Sequence, residues 1–294
     1  MKVFIVGASG VIGRTLIPSL TARGDDVVAL VRSRERAAGI DVPGVELVEG
    51  DLLQIDDDRL TELLTGCDVA AHLATALRAG SPGLGTTNTN AALRIEGTTK
   101  LLEVVKRAGV ARYIQQSIAF AYIDGGDEWI EESRALAPAP DGTVSVIEQM
   151  ESIVRETDPS QVAWTILRGG TFTGPNTYQD DTIARMRAGT ERMSGDGSHW
   201  VSFIHVDDYA DAVLAAIDTP TAGSVFNVAA EPMRHVDYLA RMAEILGVAP
   251  PTTDAEAPPA RSYRCSSTAA REALGWSATR PIWPEASQLV PWVE

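Results

Sequence analysis

The first chemical signal is a glycine-rich run near the amino terminus, Gly7-Ala8-Ser9-Gly10-Val11-Ile12-Gly13. Glycines at this spacing let the chain turn tightly and bring main-chain N–H groups against a pyrophosphate, whose charge is stabilised at the positive end of a following helix. Such a loop counts only between a strand and a helix. Residues 3–6 form a β-branched and aromatic run, and apolar residues over 11–20 recur at helical spacing, so that context is met. The end of the second strand then discriminates between cofactors. An acidic residue about 20 positions after the loop would bind the ribose 2′-hydroxyl of NAD, but the chain reads Val31-Arg32-Ser33-Arg34-Glu35-Arg36. Guanidinium groups suit a 2′-phosphate, which favours NADP(H) over NAD(H), with Arg32, Ser33 and Arg36 as its contacts. At least one of Arg34 and Arg36 reads as merely solvating the start of a helix, so Arg32 and Ser33 carry most of the assignment.

The elements that must position these residues follow from the apolar pattern. Short runs at residues 27–31, 45–49, 69–73, 113–116, 162–167, 203–206 and 225–228 read as strands. Residues 90–108, 144–156, 238–246 and 267–274 read as helices. This alternation predicts an α/β protein, a Rossmann-type doubly wound parallel sheet with a smaller C-terminal substrate domain. The expected division is residues 1–166 and 203–228 for the dinucleotide-binding domain, with 167–202 and 229–294 forming the substrate-binding part. Asp207 is expected to cap the helix after it. His72 and His205, each in an apolar strand, read as packed residues, and no metal site is expected.

With these residues in view, the sequence resembles the extended short-chain dehydrogenase/reductases, a group that includes nucleoside-sugar epimerases, dehydratases and ketone reductases. Beyond the glycine loop, the resemblance rests on Gly50-Asp51-Leu52, Ala71-His72-Leu73-Ala74-Thr75, Leu167-Arg168-Gly169-Gly170-Thr171-Phe172, Phe203-Ile204-His205-Val206-Asp207-Asp208, Phe226-Asn227-Val228-Ala229 and Ala273-Leu274-Gly275-Trp276. It implies that Asp51 and Leu52 hold the adenine, that Leu73, Ala74 and Thr75 lie beside the cofactor ribose, and that Gly170 and Thr171 pass the nicotinamide. It also implies a homodimer through two helices of the Rossmann domain as the family's common assembly.

One family feature is missing. Members that reduce carbonyls carry Tyr-x-x-x-Lys on the helix after the fifth strand, the Tyr moving the substrate proton and the Lys lowering the Tyr pKa. Here, with Glu151 aligned to the family's glutamate, Thr143 stands for the Tyr and Ile147 for the Lys. The lysines of the chain are Lys2, Lys100 and Lys106, so none stands nearby. A threonine hydroxyl without an activating cation is a poor proton relay near neutral pH. Three readings stay open. Gln116-Ser117-Ile118-Ala119-Phe120-Ala121-Tyr122 resembles the family's serine-bearing segment, so Ser117 is expected to position a carbonyl and Tyr122 to supply the proton. Alternatively the substrate, an enone, quinone or iminium, needs little acid catalysis and only orientation toward the hydride donor. In the third reading redox chemistry is lost, leaving a cyclase, epimerase or dehydratase, with Glu148 as a replacement base, or a nucleotide-binding regulator. Phe172, Trp129, Tyr178, Met186, Met193, His199 and Trp200 point to an apolar or aromatic small-molecule substrate. Arg185, Arg187 and Arg192 keep a sugar nucleotide in play.

Composition bounds the partners. The 294 residues are 45% hydrophobic and 22% charged, ordinary for a globular enzyme. Against 25 basic residues stand 40 acidic ones, a balance of −15 that repels nucleic acid and anionic membrane surfaces. Cys67 and Cys265 offer neither a disulfide framework nor a metal set, and no apolar run approaches a membrane span, so a cytoplasmic setting is expected.

Overall fold

The computed structural model describes residues 1–75, 88–138, 142–254, 257 and 260–289. Its centre is a seven-stranded sheet of β1 (Lys2–Val6), β2 (Asp26–Val31), β3 (Val45–Glu49), β4 (Val69–His72), β5 (Arg112–Ile118), β6 (Ala163–Gly169) and β7 (Ser224–Val228). In space the strands run β7-β6-β5-β4-β1-β2-β3, and every pairing is parallel. The order reverses between β1 and β4, which opens a crevice at the carboxyl ends of these strands.

A parallel sheet must bury both faces, and alternating side chains supply two separate cores. One face packs Val3, Ile5, Val27 and Ala29 against α1 (Val11–Ala22), α6 (Val206–Asp218) and α8 (Thr268–Leu274). The other packs Phe4, Val28, Ala70 and Tyr113 against α2 (Asp57–Leu64), α3 (Asn88–Ala108) and α4 (Gly142–Arg155). Helix α2 escaped the sequence reading, although Asp56 caps it, accepting from the Asp58 and Arg59 N–H groups, and Leu60, Leu63 and Leu64 face inward.

A smaller region has its own core, built from Ile183 and Met186 of α5 (Tyr178–Arg187), Tyr238, Leu239 and Met242 of α7 (His235–Leu246), and Met193, Val201, Phe203 and Ile282. Two sequence expectations shift here. Strand β6 stays in the main sheet to Gly169, past the expected boundary at residue 166. Residues Phe203–His205 do form a strand, but they pair with Thr171–Thr173 outside the main sheet. Gly170 makes this junction possible: a Cβ there would lie 2.5 Å from the Ser202 carbonyl oxygen.

Candidate active site

The glycine loop is shaped by close contacts that only glycine permits. Gly7 has φ +91°, and a Cβ on it would lie 2.6 Å from the Ala74 nitrogen at the end of β4; a Cβ on Gly13 would lie 2.3 Å from the Ala8 carbonyl oxygen. The first contact brings Leu73, Ala74 and Thr75 beside the loop, and the second seats α1 against β1. Gly10 is the N-cap of α1 and no side chain caps the helix, so the N–H groups of Val11, Ile12 and Gly13 face the turn without a side-chain acceptor. This arrangement fits a dinucleotide pyrophosphate.

At the end of β2, Arg32 and Arg36 are exposed, and neither guanidinium has an ion pair or hydrogen bond among the described residues. Ser33 Oγ accepts from the Arg36 N–H at 3.3 Å. Arg34 turns away, donating to the Leu47 carbonyl at 2.6 Å. Sequence reasoning missed Arg14, whose Nε donates to the Ser9 carbonyl at 2.9 Å and whose Nη2 donates to the Arg36 carbonyl. It ties the glycine loop to the arginine loop, and its position directly after Gly13 was the available signal. Asp51 Oδ1 accepts from the Leu53 N–H at 2.9 Å, and Leu52 is buried at the end of β3, against Gly97 of α3. Gly170 donates its N–H to Val228, and Thr171 Oγ1 shares a hydrogen bond with Tyr263 Oη at 2.8 Å, another residue the sequence did not flag.

Ser117 and Tyr122 belong to a buried network rather than standing free beside a carbonyl. The Arg168 guanidinium grips Glu151 with both prongs, Nε to Oε1 at 2.9 Å and Nη2 to Oε2 at 2.6 Å. Ser117 Oγ donates to Glu151 Oε1 at 2.7 Å. Arg168 Nη1 donates to Tyr122 Oη at 2.7 Å, and that hydroxyl donates onward to Asn227 Oδ1 at 2.7 Å. Both hydroxyl protons are therefore committed to protein acceptors. Burial drives the Tyr122 phenol well above its ordinary value, outweighing the opposing pull of Arg168. Burial also pushes Glu151 toward its neutral form, but Arg168 and Ser117 outweigh it and hold the carboxyl below the usual range. The geometry thus departs from the expectation that Ser117 positions a substrate carbonyl and Tyr122 protonates it.

The residue expected in place of the family's lysine is apolar. Ile147 is fully buried among Ala121, Ala137, Val144 and Met150. Lys100 is turned toward the Ile55 carbonyl and Asp57, away from α4. Glu148 is exposed. His72, at the end of β4, is buried and pushed down to about 4, by burial first and then by the Arg94 charge, so it is neutral. His205, not Asp207, is the N-cap of α6: its Nδ1 accepts from the Asp207 N–H at 3.2 Å, while Asp207 Oδ1 accepts from Thr15 at 3.0 Å.

The residues read as a substrate wall divide. Met186 and Met193 lie in the core of the smaller region, and Phe172 packs on Tyr209 with ring centroids 4.9 Å apart. Trp129 and Trp200 both stack on Arg264, at 4.2 Å each. Tyr178 is exposed under Arg185, and His199 packs against His235.

Comparison with known proteins agrees with this frame. The profile described as the NAD dependent epimerase/dehydratase family matches residues 3–229. A 3-diazoavenalumate denitrifying reductase from Streptomyces sp is 34% identical, covering 96% of this chain and 98% of its own. A 4-hydroxy-2-methyl-3-oxo-4-farnesyl-3,4-dihydroquinoline-1-oxide ketoreductase from Stigmatella aurantiaca is 28% identical over 77% of this chain and 67% of its own. Among solved structures, the UDP-glucuronic acid 4-epimerase from Bacillus cereus, in complex with UDP-glucuronic acid and NAD, superposes with a TM-score of 0.78 at 22% identity, over 96% of this chain and 95% of that one. The last likeness is one of fold. No helix among the described residues is long and apolar enough to cross a membrane.

Proposed function

The chain belongs to the NAD dependent epimerase/dehydratase family and is an NAD(P)-dependent oxidoreductase; from that premise we propose that it is an NADPH-dependent reductase of a small conjugated or aromatic substrate whose reduction needs no proton from the protein. The observation that carries this reading is the missing relay. Ile147, expected in place of the family's lysine, sits in an apolar cluster, and the Ser117 and Tyr122 hydroxyls donate to Glu151 and Asn227. A ketone would leave an alkoxide that such a site does not protonate. An acceptor that is already cationic or strongly electron-poor does not impose that demand.

The denitrifying reductase similarity supports one such acceptor class, an aryl diazonium. NADPH, when bound, supplies a hydride. Hydride on the terminal nitrogen gives a neutral diazene; water removes its N–H proton, dinitrogen leaves with the C–N bond broken, and the ring carbon takes a proton back from water. The sum is ArN2+ plus NADPH giving ArH, N2 and NADP+, with no net proton consumed. The chain's own residues contribute binding and orientation. The Gly7–Gly13 loop and the uncapped start of α1 receive the pyrophosphate, Arg32, Ser33 and Arg36 receive the 2′-phosphate, and Leu73 to Thr75 line the ribose. Residues 167–202 and 229–294 complete the substrate side in this proposal.

The test is single-turnover reaction of the NADPH complex with a benzenediazonium salt, using 4-deuterated NADPH. Stoichiometric NADP+, dinitrogen and benzene are the expected result, with a primary isotope effect on NADPH oxidation. If NADPH binds tightly but neither diazonium, quinone, enone nor ketone oxidises it, the reductase reading fails and a scaffold or regulatory use of the nucleotide replaces it.

A further inference from the structure

Arg94 lies seven residues into α3, the helix that follows β4 and so begins at the carboxyl edge of the sheet. It is only 1% exposed, yet it has no carboxylate partner among the described residues. Its Nη1 reaches the Met150 sulfur at 3.7 Å, a weak acceptor, while Nε and Nη2 have no hydrogen-bond partner among the described residues. These two nitrogens form one edge of the guanidinium. Arg168 uses the same edge, Nε and Nη2, to hold the two oxygens of Glu151 in the neighbouring network. The chain therefore contains one arginine with this edge filled by a carboxylate and another, a short distance along the crevice, with the edge unfilled.

Arg94's neighbours place it in the fold. Its charge acts on His72 at the end of β4, and it interacts with Glu151 on α4 and with Tyr209 on α6. Helices α3 and α6 cover opposite faces of the sheet. Gly97, one turn further along α3, lies against Leu52 and His72 Nε2 at the carboxyl ends of β3 and β4, which puts Arg94 on the crevice side where ligands of this fold bind. Burial pulls the Arg94 pKa down only to about 10, with Tyr209 and Glu151 opposing it, so the charge persists at neutral pH. A buried guanidinium without a counter-charge is costly to the fold. Met150, an unbranched thioether, yields its contact readily.

We propose that Arg94 is the substrate-anchoring residue, its Nε/Nη2 edge receiving a carboxylate of the substrate in a two-pronged pair. This deepens the reductase reading and rests on it for the word substrate. The carboxylate end is held at α3 while the electron-poor end is presented to the hydride donor. A bidentate pair with a planar carboxylate suits arginine and no other side chain. The avenalumate in the name of the similar denitrifying reductase is consistent with this assignment.

The experiment reads binding without turnover, so that it stands apart from the redox test. Protein saturated with NADP+ is titrated calorimetrically with cinnamate, a planar conjugated carboxylate, and with methyl cinnamate. The wild type is expected to prefer the acid by about tenfold or more. Arg94→Met should bind acid and ester alike, keep its NADP+ affinity, and melt at the same or a higher temperature, because an unpaired buried charge has gone. Arg94→Lys, which keeps the charge but loses the fork, should show an intermediate preference. Equal binding of acid and ester by the wild type overturns the proposal. So does an Arg94→Met variant that fails to fold or loses NADP+ affinity along with melting temperature, since either outcome makes Arg94 part of the scaffold.

Discussion

At the scale of single residues, what separates function from packing is whether a polar group's partners are already supplied. Arg34 has spent its guanidinium on the Leu47 carbonyl, whereas the Arg32 and Arg36 guanidiniums beside it have no hydrogen-bond partner among the described residues. The 2′-phosphate contact is therefore testable at Arg32. Arg32→Asp is expected to weaken NADPH by about tenfold or more, as the loss of a charge-assisted pair would, and to leave NADH binding nearly unchanged; equal loss of both in fluorescence titrations would remove the site. The pattern Arg-Ser-Arg-Glu-Arg was enough to locate this loop. It did not say which arginine would be consumed locally, because that depends on a carbonyl of β3, 13 residues away.

At the scale of elements, the Glu151–Arg168–Tyr122–Asn227 chain joins α4, β6, the segment after β5, and β7. A buried polar chain of this kind stabilises only while every member is paired. Tyr122→Phe leaves Asn227 Oδ1 without its donor, and denaturant unfolding should show a loss of about 1–3 kcal/mol. The hydride-transfer rate should change little. A large fall in rate at unchanged stability would return Tyr122 to the chemistry as its proton donor. The sequence marked Ser117 and Tyr122 because their segment resembles the family's serine-bearing segment. It carried no sign that their acceptors, Glu151 and Asn227, would arrive from 34 and 105 residues away.

At the scale of the molecule, buried histidines set the acid limit of the fold. His72 and His235 are both pushed down to about 4 from the ordinary 6.5, by burial first, aided by Arg94 at the one and His199 at the other. A folded-state value below the unfolded one means the unfolded chain binds protons first as pH falls. Their contribution is then complete above about pH 6.5 and is lost progressively down to about pH 4. Glu151, held below its ordinary 4.5, adds a further loss below that value, as its pair with Arg168 is protonated. Urea melts between pH 7 and 4 should show this decline, and the double variant His72→Gln, His235→Gln should flatten it; an unchanged slope would assign the decline elsewhere.

The sequence by itself determined the frame: the glycine loop, the alternation of strands and helices, and the arginine loop are local patterns whose physics operates within one or two elements. It also determined what is absent, since no lysine occurs in α4 or anywhere after Lys106. Only the tertiary structure decided the state of each polar group. Whether a hydroxyl is free, whether a histidine is charged and whether a guanidinium is paired depend on partners brought together by packing. Arg168 and Arg94 are the same residue type, both buried near the ends of the strands, and differ because β6 carries one of them to Glu151 while α3 leaves the other with only the sulfur of Met150.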